Sequence, residues 1–124
     1  MNKIKLECAL NCSVSVLFKR LSTPSGLAEW FADEVKQNDE IFTFKWKDYS
    51  QSAERIEYRL NEMVCFQWID GDNPGAKFEF TVQSLELTND VALIVTDCVD
   101  PSDEDSQKEL WETQLAHLKR VLGA

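Results

Sequence analysis

Four cysteines and one histidine carry the side chains most able to bind a metal or to act as a nucleophile. The cysteines include no C-x-x-C pair and only His117 could join them, which argues against a zinc site. A Cys–His catalytic pair would require Cys65 or Cys98 to meet His117 across the fold, and the sequence has no G-x-S-x-G elbow or glycine-rich phosphate loop. We therefore predict free buried thiols, no catalytic residue, no metal and no cofactor.

Two acidic segments could bind a cation, and both have a simpler explanation. The segment from Asp70 to Gly75 begins like a calcium loop, but Pro74 stands fifth and Thr81 twelfth, where a bidentate glutamate is required. A hairpin turn explains its composition better. The second group, residues 97–105, leads into a predicted helix, whose amino end carboxylates stabilise without any metal.

Length and charge limit the possible functions. A chain of 124 residues fits one domain, residues 1–124, and 44% hydrophobic with 28% charged residues is typical of a globular protein. The net charge of −9 disfavours nucleic acid and anionic lipid as partners. No apolar run is long enough to span a membrane and the first residues, MNKIKLECAL, lack the apolar core of a signal peptide, so we expect a cytoplasmic protein.

The hydrophobic period shows which elements would position these residues. Loose alternation over residues 3–9 predicts a first strand, and Ser13 is a good N-cap for a short helix after it. Thr23-Pro24 begins a second short helix, because threonine caps helices and proline is tolerated in the first turn. Trp30 and Phe31 are then expected at the end of that helix, with Trp30 turned toward the interior.

A period of two dominates from Ile41 to Cys98 and predicts a run of about six antiparallel strands. Turn chemistry separates them at residues 48–51, 61–62, 70–75 and 89–90. Large apolar side chains share one face of this sheet, namely Phe42, Phe44, Trp46, Ile56, Tyr58, Leu60, Val64, Phe66, Trp68, Phe78, Phe80 and Val82. Polar residues such as Arg55 and Gln67 fall on the other face, and so does Cys65. The sheet should therefore have one aromatic side and one wet side.

The last segment is predicted to be a long helix. Ser102 and Asp105 form a weak capping box at its start, and Gly123 ends it. Four apolar residues recur at helical spacing and form one stripe: Trp111, Leu115, Leu118 and Leu122. This stripe must cover the aromatic face of the sheet.

The order of these elements resembles that of the START-like helix-grip superfamily, and two motifs strengthen the resemblance. They are TPSGLAEWFADEV at residues 23–35 and LWETQLAHLKRVL at residues 110–122. The nearest similarity is to the branch resembling the activator of the ninety-kilodalton heat-shock-protein ATPase, which typically reads T-P-E-x-L-x-x-W-F in the first motif. That branch often has glycine where this chain has Leu110, a residue expected to fill space at the start of the helix.

The resemblance implies an α+β helix-grip fold, in which a curved antiparallel sheet wraps around the long carboxy-terminal helix and leaves a cavity for an apolar molecule. Plain core packing would use the same aromatic residues. If the cavity exists, we expect these residues to line it and bind the ligand: Trp30, Phe44, Trp46, Tyr58, Phe66, Trp68, Phe80, Trp111 and Leu115. Tyr58 and the tryptophan N–H groups would supply the polar contacts.

Two functions from different classes remain open. The chain could be a non-catalytic domain that binds a small apolar or aromatic molecule. Alternatively, it could be a protein–protein interaction module, co-chaperone-like or homodimeric, that works through its surface and needs no cavity. An enzyme comes third, since some helix-grip relatives are cyclases or hydrolases, but no acid, base or nucleophile arrangement supports one here.

Overall fold

The computed structural model describes residues 1–85, 87–88 and 90–123, which form seven strands and three α-helices. The strands are β1 (Asn2–Leu10), β2 (Glu34–Asn38), β3 (Ile41–Trp46), β4 (Tyr49–Arg59), β5 (Met63–Trp68), β6 (Lys77–Leu85) and β7 (Asp90–Val99). The helices are α1 (Val14–Ser22), α2 (Pro24–Leu27) and α3 (Glu104–Leu122), with a short 3-10 helix (Pro101–Asp103) before α3. None of the helices in these ranges is long and apolar enough to cross a membrane.

All seven strands join one antiparallel sheet in the order β1-β7-β6-β5-β4-β3-β2. Because β1 pairs with β7, the first strand of the chain lies beside the last, and β2 forms the other edge. The predicted α+β helix-grip architecture is confirmed. The strand run begins at Glu34 rather than at Ile41, since the sequence of β2, EVKQN, has only Val35 as an apolar residue and gives no period-two signal.

The two short helices begin where the sequence predicts. The Ser13 hydroxyl accepts a hydrogen bond from the Val16 N–H at 3.2 Å, and the Thr23 hydroxyl accepts one from the Gly26 N–H at 3.1 Å. Each side chain therefore satisfies a backbone donor that has no partner within its helix.

Gly26 allows α2 to pack directly on α1. A Cβ atom at this position would lie only 2.1 Å from the Lys19 carbonyl oxygen and 2.7 Å from the Arg20 Cα. Helix α2 is a single turn, so Trp30 and Phe31 lie in the turn that follows it and not at its end as predicted.

Helix α3 covers the concave side of the sheet with the predicted stripe. Trp111, Leu115 and Leu118 are buried in the core, and Leu122 packs against it half-buried. Gly123 adopts the left-handed conformation (φ 69°) that ends the helix. The start differs from the prediction, because Asp100 caps the 3-10 helix by accepting from the Ser102 N–H at 2.9 Å, and the Ser102–Asp105 capping box does not form.

A β-bulge in β4 breaks the predicted alternation. The register shifts between Arg55 and Glu57, and Arg55 lies opposite Phe66, on the concave face and not on the wet face as predicted. Its guanidinium carbon lies 5.4 Å from the Phe42 ring centre and 4.6 Å from that of Tyr58. After the bulge the strand leaves the core, so the three residues expected there are exposed: Ile56 (40%), Tyr58 (45%) and Leu60 (67%).

The convex face is polar at its edges and apolar at its centre. Cys65 lies there as predicted, opposite Glu57 and Glu79, and burial raises its thiol pKa to about 11. The cysteines are free, and burial also raises the pKa of Cys8 and of Cys12.

The predicted turns at residues 61–62 and 70–75 lie between strands, but the turn predicted at residues 48–51 is shorter and lies at residues 47–48, because β4 begins at Tyr49. Of the turn predicted at residues 89–90, Asn89 lies outside the described residues, and Asp90 begins β7.

Candidate functional site

A half-open cleft of about 520 Å³ lies at one end of the aromatic interior. Helix α3 and the turn after α2 form one side, and the ends of β3, β5, β6 and β7 form the other. Seven aromatic residues line it: Trp30, Phe31, Trp46, Tyr49, Trp68, Phe78 and Trp111. A cavity of this volume with aromatic walls and several polar groups is typical of small-molecule sites.

Phe31 lies at the centre of the aromatic interior and forms the floor of the cleft. Its ring is buried and stacks on one ring from each wall. The distances between ring centres are 5.6 Å to Phe78 and 5.7 Å to Trp111. It meets four more rings, those of Trp30, Phe44, Trp46 and Phe80. The prediction that Trp30 turns toward the interior is confirmed, since that ring is only 3% exposed, but the W-F pair gives no sign that Phe31 occupies the centre.

The Phe31 backbone ties the two walls together. Its carbonyl oxygen accepts a hydrogen bond from Trp46 Nε1 in β3 at 2.9 Å and another from Gln114 Nε2 in α3 at 3.0 Å. The Trp46 indole is therefore held edge-on to the turn, and its outer face stacks on the exposed Tyr49 ring at 5.1 Å. These bonds fix the width of the cleft between strand and helix.

Trp30 has a different role in the structure from the one its position in the motif implies. It is only 3% exposed, and its Nε1 donates to the Arg20 carbonyl in α1 at 2.8 Å. Its ring packs against Phe80 beside the cleft. The indole N–H expected to bind a ligand is thus engaged in joining the turn to α1.

A carboxylate lies on the cleft wall next to Trp111. Asp97 is only 8% exposed, and its Oδ2 accepts a hydrogen bond from Trp111 Nε1 at 2.8 Å. Burial raises the pKa of this carboxyl, while the Trp111 bond and the Cys98 backbone N–H act to lower it. Among the described side chains, Trp111 is the only hydrogen-bond donor to Asp97.

A signal for Asp97 was present in the sequence. In β7 the alternate residues Val91, Leu93 and Val95 face the interior, and Asp97 continues that face opposite Phe78 and Ile4. An acid at an inward position of an apolar strand is rare unless it has a function or a partner. The exposed acids that follow it at the start of the helix make Asp97 look like one of their group, although it belongs to the strand.

The mouth of the cleft is polar. Exposed carboxylates of Asp33, Asp72, Asp100 and Asp103 surround it, and His117 lies exposed on its helical side. Leu110 also lines the cleft, and it is 51% exposed, so it borders the opening and does not fill the space at the start of the helix as expected. Within the described residues, no group of three His, Cys, Asp or Glu side chains could hold a metal ion.

The structure brings four of the nine predicted ligand-binding residues together in the cleft: Trp30, Trp46, Trp68 and Trp111. Three others, Phe44, Phe66 and Phe80, lie in the core beneath its floor and are fully buried.

The remaining two of the nine lie elsewhere. Tyr58 lies beyond the β4 bulge, where its ring meets Phe18 of α1 at 5.6 Å. Leu115 turns toward a shallow groove beside β1, lined also by Leu6 and Cys8.

A seven-stranded antiparallel sheet around a carboxy-terminal helix, with a cleft between them, defines the helix-grip class of α+β proteins. The family model of the START-like superfamily domain matches residues 1–124, and the chain belongs to that superfamily. The resemblance to the START-like superfamily is thereby confirmed.

Several solved structures are similar to this chain. A Bacteroides fragilis protein solved by NMR is 36% identical over 97% of this chain and 90% of its own, with a TM-score of 0.67. The Aha1 dimer of Colwellia psychrerythraea is 19% identical over 98% of this chain and 96% of its own, with a TM-score of 0.84. A Mesorhizobium loti protein is 15% identical over 98% and 97%, with a TM-score of 0.82. No curated protein sequence matches the chain.

Proposed function

We propose that this protein is a non-catalytic START-like domain of the cytoplasm that binds a small apolar or aromatic molecule in the cleft. The observation that carries the proposal is the cleft itself, about 520 Å³ with aromatic walls that are only partly covered. Trp46 and Trp68 are half-buried and Tyr49 is exposed, so apolar ring surface remains available to a ligand. Burial of such surface against a ligand is favourable by roughly 25 cal/mol per Å².

The walls suit a flat molecule. On the strand side, the centre of the Trp68 ring lies 4.9 Å from that of Phe78. The Trp46 and Tyr49 rings of the same wall stack on each other. The hydrogen bonds to the Phe31 carbonyl hold the Trp46 wall in place before any ligand arrives. A preformed site of this kind loses little conformational freedom on binding, which favours affinity.

The chemistry of the polar groups supports a non-catalytic role. Cys65, with its thiol pKa near 11, lies on the convex face and away from the cleft. His117 is exposed at the mouth, and Asp97 is held by a tryptophan, not by a histidine or a nucleophile. General acid–base catalysis needs a titrating group within hydrogen-bond reach of a positioned partner, and these contacts do not supply such a pair.

A matched pair of variants tests the binding site. Trp68→Leu removes a ring from the cleft wall, whereas Tyr58→Leu also replaces an aromatic ring with leucine, on the same sheet but outside the cleft. We expect a screen of small aromatic compounds to raise the melting temperature and shift tryptophan emission, and Trp68→Leu to weaken binding while Tyr58→Leu does not. Equal effects of the two variants, or a screen without any response, would overturn the proposal.

A second function, homodimerisation, is favoured by a different observation. Exposed apolar side chains occur on α1, on the outer half of β4 and in the turn after it, including Val16, Ile56 and Leu60. The Colwellia relative is a dimer. If this end of the molecule pairs with a second copy, sedimentation should show a dimer that Leu60→Lys converts to a monomer. A wild-type protein that is monomeric at high concentration would exclude this second function.

A further inference from the structure

The cleft carries a strongly one-sided charge. Six of its lining residues are acidic, and no lysine or arginine lines it among the described residues. Glu29 is neutralised by an ion pair with Arg20, but the other five form no ion pair with any described residue. A concave site with one sign of charge and apolar walls concentrates the electrostatic field within it.

The acidic groups lie at two depths. Asp33, Asp72, Asp100 and Asp103 are exposed around the mouth, whereas Asp97 is buried in the wall beside Trp111. A carboxylate that is removed from water and faces an apolar cleft binds a cationic donor through a charge-assisted hydrogen bond. The half-buried rings of Trp46 and Trp68 attract a cation through their quadrupoles as well. The carboxylates and the aromatic faces both disfavour a ligand that carries a carboxylate or phosphate group.

We infer that the cleft selects an apolar amine, a molecule with an aromatic or aliphatic body and a protonated nitrogen that pairs with Asp97. This inference rests on the proposed binding function and adds the charge of the ligand to it. The apolar body lies against the Trp46 and Trp68 walls, and the exposed acids at the mouth draw the cation in. Fatty acids and other apolar anions are excluded.

Three probes of nearly equal shape separate the charge from the apolar body: naphthylethylamine, naphthylethanol and naphthylacetate. Calorimetric titration into the whole protein measures each affinity at low and at moderate salt. We expect the amine to bind about tenfold or more tighter than the alcohol, as a charged hydrogen bond gives. We expect the acetate to bind most weakly and the advantage of the amine to shrink as salt is added.

Two variants locate the charge effect. Asp97→Asn keeps a hydrogen-bond acceptor for Trp111 but removes the charge, so it should weaken amine binding about tenfold and leave alcohol binding unchanged. The double variant Asp33→Asn with Asp103→Asn, at the exposed mouth, should weaken the amine by a smaller factor. Glu54→Gln, the same change on the exposed convex face, is the control and should alter neither affinity.

The outcomes distinguish this inference from the proposed function. If the alcohol binds but the amine is no tighter, or the acetate is tightest, the charge inference is overturned while the binding function stands. If none of the three probes binds, both are overturned together. If the amine is favoured equally by the wild type and Asp97→Asn, Asp97 is not the group that recognises it, and the inference is again refuted.

Discussion

We expect the buried carboxylate of Asp97 to lower the stability of the folded protein at neutral pH, because burial raises its pKa, and two substitutions separate the effect of its charge from that of its hydrogen bond. Asp97→Leu leaves the buried Trp111 N–H without an acceptor, which we expect to lower the free energy of unfolding by about 1–3 kcal/mol. Asp97→Asn retains an acceptor in the amide oxygen and removes the charge. It should therefore be at least as stable as the wild type at pH 7.

The pH dependence follows from the direction of the pKa shift. The pKa of Asp97 is raised in the folded protein, chiefly by burial, so the folded state holds this proton more tightly than the unfolded state. The stability that this proton contributes is fully present below about pH 4, the ordinary range of an aspartate, and is lost as the pH rises through the folded-state pKa. The asparagine variant does not titrate there, so its advantage over the wild type should grow across that window.

Urea unfolding followed by circular dichroism between pH 3.5 and 7.5, a range around the ordinary pKa of about 3.9, measures both differences. Asp72→Asn, an exposed change in the loop at the mouth, is the control and should stay within about 0.5 kcal/mol of the wild type. An asparagine variant that is less stable than the wild type by a margin that grows with pH would show that the carboxylate is stabilised in the folded state. Our account of Asp97 would then be refuted.

Other perturbations test the remaining parts of the structure. Phe31→Ala should lower the free energy of unfolding by about 3–5 kcal/mol because the buried ring meets six others, and a loss under about 1 kcal/mol in urea unfolding would contradict its central position. Gly26→Ala should lower the melting temperature by several degrees, since its Cβ would strike the Lys19 carbonyl, whereas exposed Ser25→Ala should not. Ending the chain before Ser102 removes α3 and should leave an aggregating or molten product by near-ultraviolet circular dichroism; a cooperatively folding fragment would disprove the role of the helix. Chelators should leave the melting temperature unchanged, and a shift of more than a few degrees would reveal a metal.

Local signals explain why the helices and the order of elements could be predicted. The Ser13 and Thr23 caps, the stripe on α3 and the stop at Gly123 each depend on residues within a few positions of one another. The β4 bulge has no such local cause. It lies where Arg55 and Glu57 pair with neighbouring residues of β5, and this single extra residue puts Arg55 on the concave face, whereas Tyr58, opposite Val64, keeps the face that alternation predicts.

The cleft could be predicted only in outline. The aromatic face correctly placed Trp46, Trp68 and Trp111 around one interior, because alternation and helical spacing fix which side of an element a residue takes. It could not show which parts of that interior are filled. The turn after α2 directs Phe31 into the centre, and this ring covers Phe44 and Phe80, so the open space lies toward the end of the sheet instead of along its length.

The Phe31 carbonyl oxygen, with one donor from β3 and one from α3, makes the two walls of the cleft thermodynamically interdependent. A buried carbonyl that keeps one partner is still satisfied, whereas one that loses both is left bare at a cost of about 1–3 kcal/mol. Loss of the Trp46 or the Gln114 donor alone is therefore buffered by the other, and the two losses together exceed their sum. Substitutions can thus alter one wall at a time without leaving this carbonyl bare, so the lining of the cleft can change while the fold persists.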